Sequence, residues 1–125
     1  MAGVHTGTVG NECEKLALAY LRRRGLRLVC RNFRCRFGEI DLVMRDDAVL
    51  VVVEVRYRRP GQYASAAMSV DAGKQRRLVL AGSMFLAGAP EYADSPVRFD
   101  VVALDGSSHQ ESKIQWLRDA FRPPA

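Results

Sequence analysis

At 125 residues the chain has room for one domain with a real hydrophobic core and too little for two. Its 48% hydrophobic and 26% charged content places it among soluble globular proteins, and no apolar stretch exceeds six residues, so neither a secretory leader nor a membrane span is expected. The net charge of +5 is clustered: Arg22, Arg23, Arg24, Arg27, Arg31, Arg34 and Arg36 crowd the first third, and Arg56, Arg58, Arg59, Lys74, Arg76 and Arg77 follow, an electrostatic footprint suited to phosphate backbones.

Residues 11–24 read as an amphipathic helix, because Cys13, Leu16, Ala17, Tyr20 and Leu21 recur at helical spacing. Gly25 offers a left-handed stop, and Arg22 to Arg24 suit the negative end of the helix dipole. Asn11 followed by Glu14 has the spacing of a capping box, which gives Glu14 a structural role beside any chemical one. A strand is expected from Leu26 to Asn32. Next comes a hairpin whose arms are Gly38 to Arg45 and Val49 to Val55, the second arm apolar on both faces and therefore central in its sheet.

Two carboxylates of this hairpin, Asp41 and Glu54, are thirteen residues apart. With the turn centred on Asp46-Asp47, Asp41 falls opposite Val52, and Glu54 becomes its diagonal neighbour on the same face. Such neighbours lie roughly 7–8 Å apart at Cα, within reach of one cation. Glu39 falls opposite Glu54 in that register. An acid near the end of an apolar strand must gain something for its desolvation, and a shared divalent ion would supply it; the bland alternative is a pair of strand-end acids answering nearby arginines.

Pro60 to Ser69 read as a polar connection, Asp71 to Leu86 as a second helix ended by Gly88 and Pro90, and Val97 to Leu104 as a further strand. Lys113 to Phe121 is expected to begin as a strand and finish helical. The chain is one domain, 1–125, with 1–9 and 122–125 as flexible ends. This order fits a three-layer α/β core with a mixed sheet, among other small α/β folds. Cys13, Cys30 and Cys35 form neither an even set nor a CxxC pair, which suits a reduced, cytoplasmic setting, and with only His5 and His109 to help them a zinc site is disfavoured.

Glu39-Ile40-Asp41 in one strand, Val53-Glu54-Val55-Arg56 in the next, Glu14 on the upstream helix and the later run Val97 to Val102 together resemble the YraN family of uncharacterised bacterial proteins. That family is assigned to the restriction-endonuclease-like superfamily, with its D…(D/E)-x-K metal site. The resemblance implies a three-layer α/β/α restriction-endonuclease-like core with a mixed sheet, antiparallel at its start. It implies Mg or Mn held by Asp41 and Glu54 with help from Glu14, and phosphodiester hydrolysis in structured or single-stranded nucleic acid, DNA ahead of RNA. Arg56 stands where the motif has Lys; an arginine can stabilise charge on phosphorus but cannot act as a general base. Lys74 is then the amine that could take over, against the simpler reading of a solvated helix-start lysine.

The resemblance also makes Arg34, Arg36, Arg56, Arg58, Arg59 and Lys74 the expected nucleic-acid contacts, and analogy with structure-selective nucleases of this size implies a homodimer. Arg98 with Asp100 reads equally as a structural ion pair or a phosphate contact, and Tyr57, Tyr63 and Trp116 as packing residues or base-stacking platforms. The alternative function is a catalytically degenerate module of the same fold that binds nucleic acid or docks on another protein.

Overall fold

The computed structural model describes residues 2–58, 70–105 and 114–123, with side chains from residue 10 onward. The elements are α1 (Ala2–Arg23), β1 (Arg27–Cys35), β2 (Gly38–Asp46), β3 (Val49–Arg58), α2 (Ala72–Ala87), β4 (Val97–Asp105) and β5 (Ile114–Phe121), with a short 3-10 turn, Pro90–Tyr92, before β4. The polar connection Pro60 to Ser69, with Tyr63, lies outside the described residues, as do Arg59, His109 and the side chain of His5.

The five strands lie in chain order across one sheet. β1, β2 and β3 form an antiparallel meander, β3 and β4 run parallel, and β5 returns antiparallel to β4. A parallel pair needs a crossover, and α2 supplies it. Each helix covers one face. Cys13, Ala17, Leu18 and Leu21 of α1 pack on Leu42, Met44, Val51, Val53, Val102 and Leu104. Leu78, Ala81 and Phe85 of α2 pack on Ile40, Val43, Val52, Phe99 and Val101. The result is a three-layer α/β/α core with a mixed, mostly antiparallel sheet. Consecutive residues Val51, Val52 and Val53 of β3 are all buried because both faces are covered, each side chain contributing roughly 1.5–3 kcal/mol.

Three expectations need correction. Helix α1 begins at Ala2 and not at 11, so Asn11 sits inside the helix and is not its cap. Among the described residues the last segment is strand throughout, because β5 pairs along β4 from Leu104↔Ile114 to Phe99↔Phe121 and has no second apolar face to bury as a helix.

The β2–β3 register is the third: Asp46 pairs with Val49, placing the turn at Asp47-Ala48, two residues from the expected pairing. Asp46 stays in the strand because its Oδ2 accepts from both Arg98 at 3.1 Å and Arg118 at 2.9 Å, while Asp47 takes the left-handed φ of 52° that an aspartate tolerates in a turn. Side chains repeat every two residues, so within the paired stretch Leu42 to Asp46 this shift leaves each one on its expected face.

Candidate carboxylate centre

The ladder between β2 and β3 stops at Leu42↔Val53. One step further along it would set Asp41 opposite Glu54, and there the strands part. The carboxylate of Asp41 replaces the missing carbonyl and accepts from the Val55 backbone N–H at 2.8 Å. Alternation breaks at the same point: Ile40 packs in the α2 core and Leu42, two residues on, in the α1 core. In β1 the matching break is Asn32, whose φ is 53°, after which Phe33 turns to α2 and meets Phe85 edge-on with ring centroids 5.3 Å apart. Asp41 therefore lies where both sides of the sheet can reach it.

From the α2 side comes Glu54, 4% exposed. Its carboxyl group lies beside that of Asp41, and a neighbouring like charge disfavours ionisation of Asp41. Burial first, and then the Glu54 charge, push the Asp41 pKa up to about 7, against the pull of the Val55 N–H. Arg56 Nε lies 3.4 Å and Lys74 Nζ 3.6 Å from Glu54 Oε2. Lys74 is aimed there by the first turn of α2, which Asp71 caps by accepting from the Lys74 backbone N–H at 2.8 Å. Arg56 Nε is buried and has no hydrogen-bond partner among the described residues.

From the α1 side come Glu14 and Glu39. One oxygen of each lies within 4.8 Å of one oxygen of Asp41 and of the other. Asn32 Nδ2 donates to Glu14 Oε1 and to Glu39 Oε1, both at 2.8 Å. Burial raises the Glu14 pKa, the Asn32 hydrogen bond opposes it, and the charges of Asp41 and Glu39 add to the rise. Glu39 is not opposite Glu54 as the expected register had it; it pairs with Arg34 on β1, their side chains 3.7 Å apart.

The expected nucleic-acid contacts divide. Arg34 and Arg36 are exposed near the β1–β2 turn, Arg36 lying over the Phe37 ring. Arg58 is a correction: it is 9% exposed, its guanidinium held by both oxygens of Asp105 and by Gln115 Oε1, so it ties β3 to β4 and β5 and presents no free face to a phosphate. Arg98 and Asp100 form a two-pronged ion pair at 2.9 and 3.0 Å. Asp100 also accepts from Trp116 Nε1 and the Asp119 N–H, which makes Trp116 a packing residue set edge-on to Tyr20. A cleft of about 470 Å³ between β4 and β5 is lined by charges already paired within the protein, Arg98 with Asp100 and Arg122 with Asp119. Sequence reasoning missed Asn32; the only signal was an asparagine among strand-forming residues, a residue type that tolerates left-handed backbone.

Fold and centre together define an α/β protein with convergent, partly buried carboxylates at a break in its sheet. No described helix is long and apolar enough to cross a membrane. A model of the uncharacterised protein family UPF0102 matches residues 13–104, and the chain belongs to that family. A UPF0102 protein of Pseudomonas entomophila is 51% identical over 112 residues, 90% of this chain and 91% of the relative. Another, of Pseudomonas putida, is 48% identical over 121 residues, 97% and 98% of the two chains.

Proposed function

We propose that this protein is a metal-dependent endonuclease of restriction-endonuclease-like fold, acting on phosphodiesters of structured or single-stranded DNA. The observation that carries the reading is Asp41, half-buried at the strand break beside Glu54, with an oxygen of Glu14 and one of Glu39 within 4.8 Å of its own. The donor set fits a hard cation: all oxygens, at separations that an ion with oxygen ligands near 2.1–2.4 Å would span. Carboxylates packed this closely repel one another, and such an ion would relieve that repulsion. Asp41, Glu14 and Glu39 present the converging oxygens, and Glu54 beside Asp41 would complete the set that holds Mg²⁺ or Mn²⁺.

When bound, the ion would lower the pKa of a water and offset negative charge in the transition state. Arg56 and Lys74 bring two cations to the same carboxylate, where they would stabilise charge developing on the phosphate oxygens. Lys74, unlike an arginine, also has the chemistry to exchange a proton, and so answers the lysine that the motif lacks at position 56. Arg34 and Arg36, exposed on the neighbouring turn, suit the phosphate backbone flanking the site.

The test is cleavage of linear, branched and single-stranded DNA in Mn²⁺ or Mg²⁺, with and without EDTA, by wild type, Asp41→Asn and Glu54→Gln. Metal-dependent cleavage lost in both variants is expected. Salt-sensitive binding with no cleavage in either metal would overturn the enzyme reading. It would leave the degenerate binding module, which the engagement of Glu54 by both Arg56 and Lys74 favours as the second reading.

A further inference from the structure

We propose that Asn32 is the positioning residue of the carboxylate centre, a neutral double donor that gathers Glu14 and Glu39 toward Asp41. The proposal rests on the metal-site reading above and adds to it a residue that neither binds an ion nor touches a phosphate.

Three observations converge on Asn32. Its φ of 53° is left-handed, a conformation that asparagine adopts far more readily than branched or bulky residues. That backbone turn ends the alternation of β1, sending Phe33 to α2 while the Asn32 side chain faces α1. Its amide nitrogen carries two hydrogens, and both are used, one on Glu14 and one on Glu39, at 2.8 Å each. A single side chain thus joins an acid eighteen residues upstream on a helix to one seven residues downstream on the next strand.

The chemistry of the donor matters. Three acids within 4.8 Å repel one another, and something must hold them there before a cation arrives. A lysine or arginine at position 32 would do so by cancelling their charge and would then compete with the ion. An amide holds the same oxygens by hydrogen bonds and leaves the negative potential in place. Each glutamate is fixed through Oε1, so the amide orients Oε2 without using it, although Arg34 Nε lies 3.7 Å from that of Glu39. Partners of this kind set ligand orientation in metal sites, and losing one typically costs about 10–100-fold in metal affinity.

The experiment is Mn²⁺ titration by calorimetry, at a pH above 8, of wild type, Asn32→Gly and Asn32→Ala. Glycine accepts the left-handed backbone and removes only the amide, so Asn32→Gly is expected to melt near wild type yet bind Mn²⁺ about 10–100-fold more weakly. Asn32→Ala is expected to lose both stability and affinity. Wild-type affinity in folded Asn32→Gly would overturn the proposal. A wild type that does not bind Mn²⁺ would sink the metal-site reading and this proposal with it.

If Asn32→Gly does not fold, the side-chain amide resonances of Asn32 in the metal-free wild-type background decide. Glu14→Ala is expected to move one amide proton and Glu39→Ala the other; an amide unmoved by both overturns the proposal.

Discussion

The carboxylate of Asp41 accepts from the backbone N–H of Val55 at 2.8 Å, taking the place in the ladder that a strand carbonyl would otherwise hold. That hydrogen bond lets two strands separate without orphaning a buried donor, and the separation brings Glu54, Glu14 and Glu39 around Asp41.

Titration of Asp41 has a definite sign. Its folded pKa, about 7, is above the ordinary aspartate value, so folding favours the protonated form. The stabilisation is fully present below pH 4 and is lost as pH rises through 7. We expect metal-free Asp41→Asn, which keeps an acceptor for Val55 and cannot ionise, to gain stability relative to wild type across that window. One pK unit corresponds to about 1.4 kcal/mol, so the difference between the two should change by at least about 1 kcal/mol. Urea melts at pH 4.5 and 8 check this; a difference that does not vary with pH would mean that Asp41 titrates normally.

For the two cations beside Glu54, Lys74→Met should cost more than Arg56→Lys. Removing a group that both stabilises charge and can exchange a proton is expected to slow single-turnover cleavage in Mn²⁺ by about 10²–10³-fold, whereas Arg56→Lys retains a cation and loses donors. The reverse order would place the working amine at position 56.

Arg58 and Arg34 should separate stability from binding. Arg58→Ala breaks a mostly buried ion pair and is expected to destabilise by about 2–3 kcal/mol, toward the low end because Asp105 reaches solvent. The salt dependence of DNA binding by the folded variant should be unchanged. Arg34→Ala should leave stability within about 0.5 kcal/mol and reduce the slope of log affinity against log salt by about one. Equal slopes for wild type and Arg34→Ala would remove Arg34 from the interface.

Gly82 sits where α2 lies close on the sheet. A methyl group there would meet Val52 at 3.6 Å and Phe99 at 3.7 Å, ordinary contact distances. Gly82→Ala is therefore expected to raise stability by about 0.5–1 kcal/mol through helix propensity, and Gly82→Leu to lower it by about 1–3 kcal/mol through overpacking. Thermal melts of both variants are the measurement.

Local pattern by itself determined a good deal. The spacing of Cys13, Ala17 and Leu21 marks the buried face of α1, the unbroken valines of β3 mark a strand covered on both sides, and Asp71 before an apolar stripe marks the start of α2. Helical and strand periodicities are local, and each is visible within a dozen residues. The nearness of Asp41 to Glu54 was likewise legible, since a hairpin brings its arms together whether the register is the expected one or two residues away.

What only the tertiary structure decided depends on partners distant in sequence. Arg58 looked like a surface cation beside Arg56 until pairing of β3 with β4 brought Asp105 to it across 47 residues. Trp116 read as a packing residue or a stacking platform until β5 set it on Asp100, and Asn32 looked like one more strand residue until α1 laid Glu14 beside it. A charge or an amide carries no periodicity of its own. Its role is set by whichever group the sheet order delivers to it, because buried polar atoms must find a partner and the chain alone does not say which.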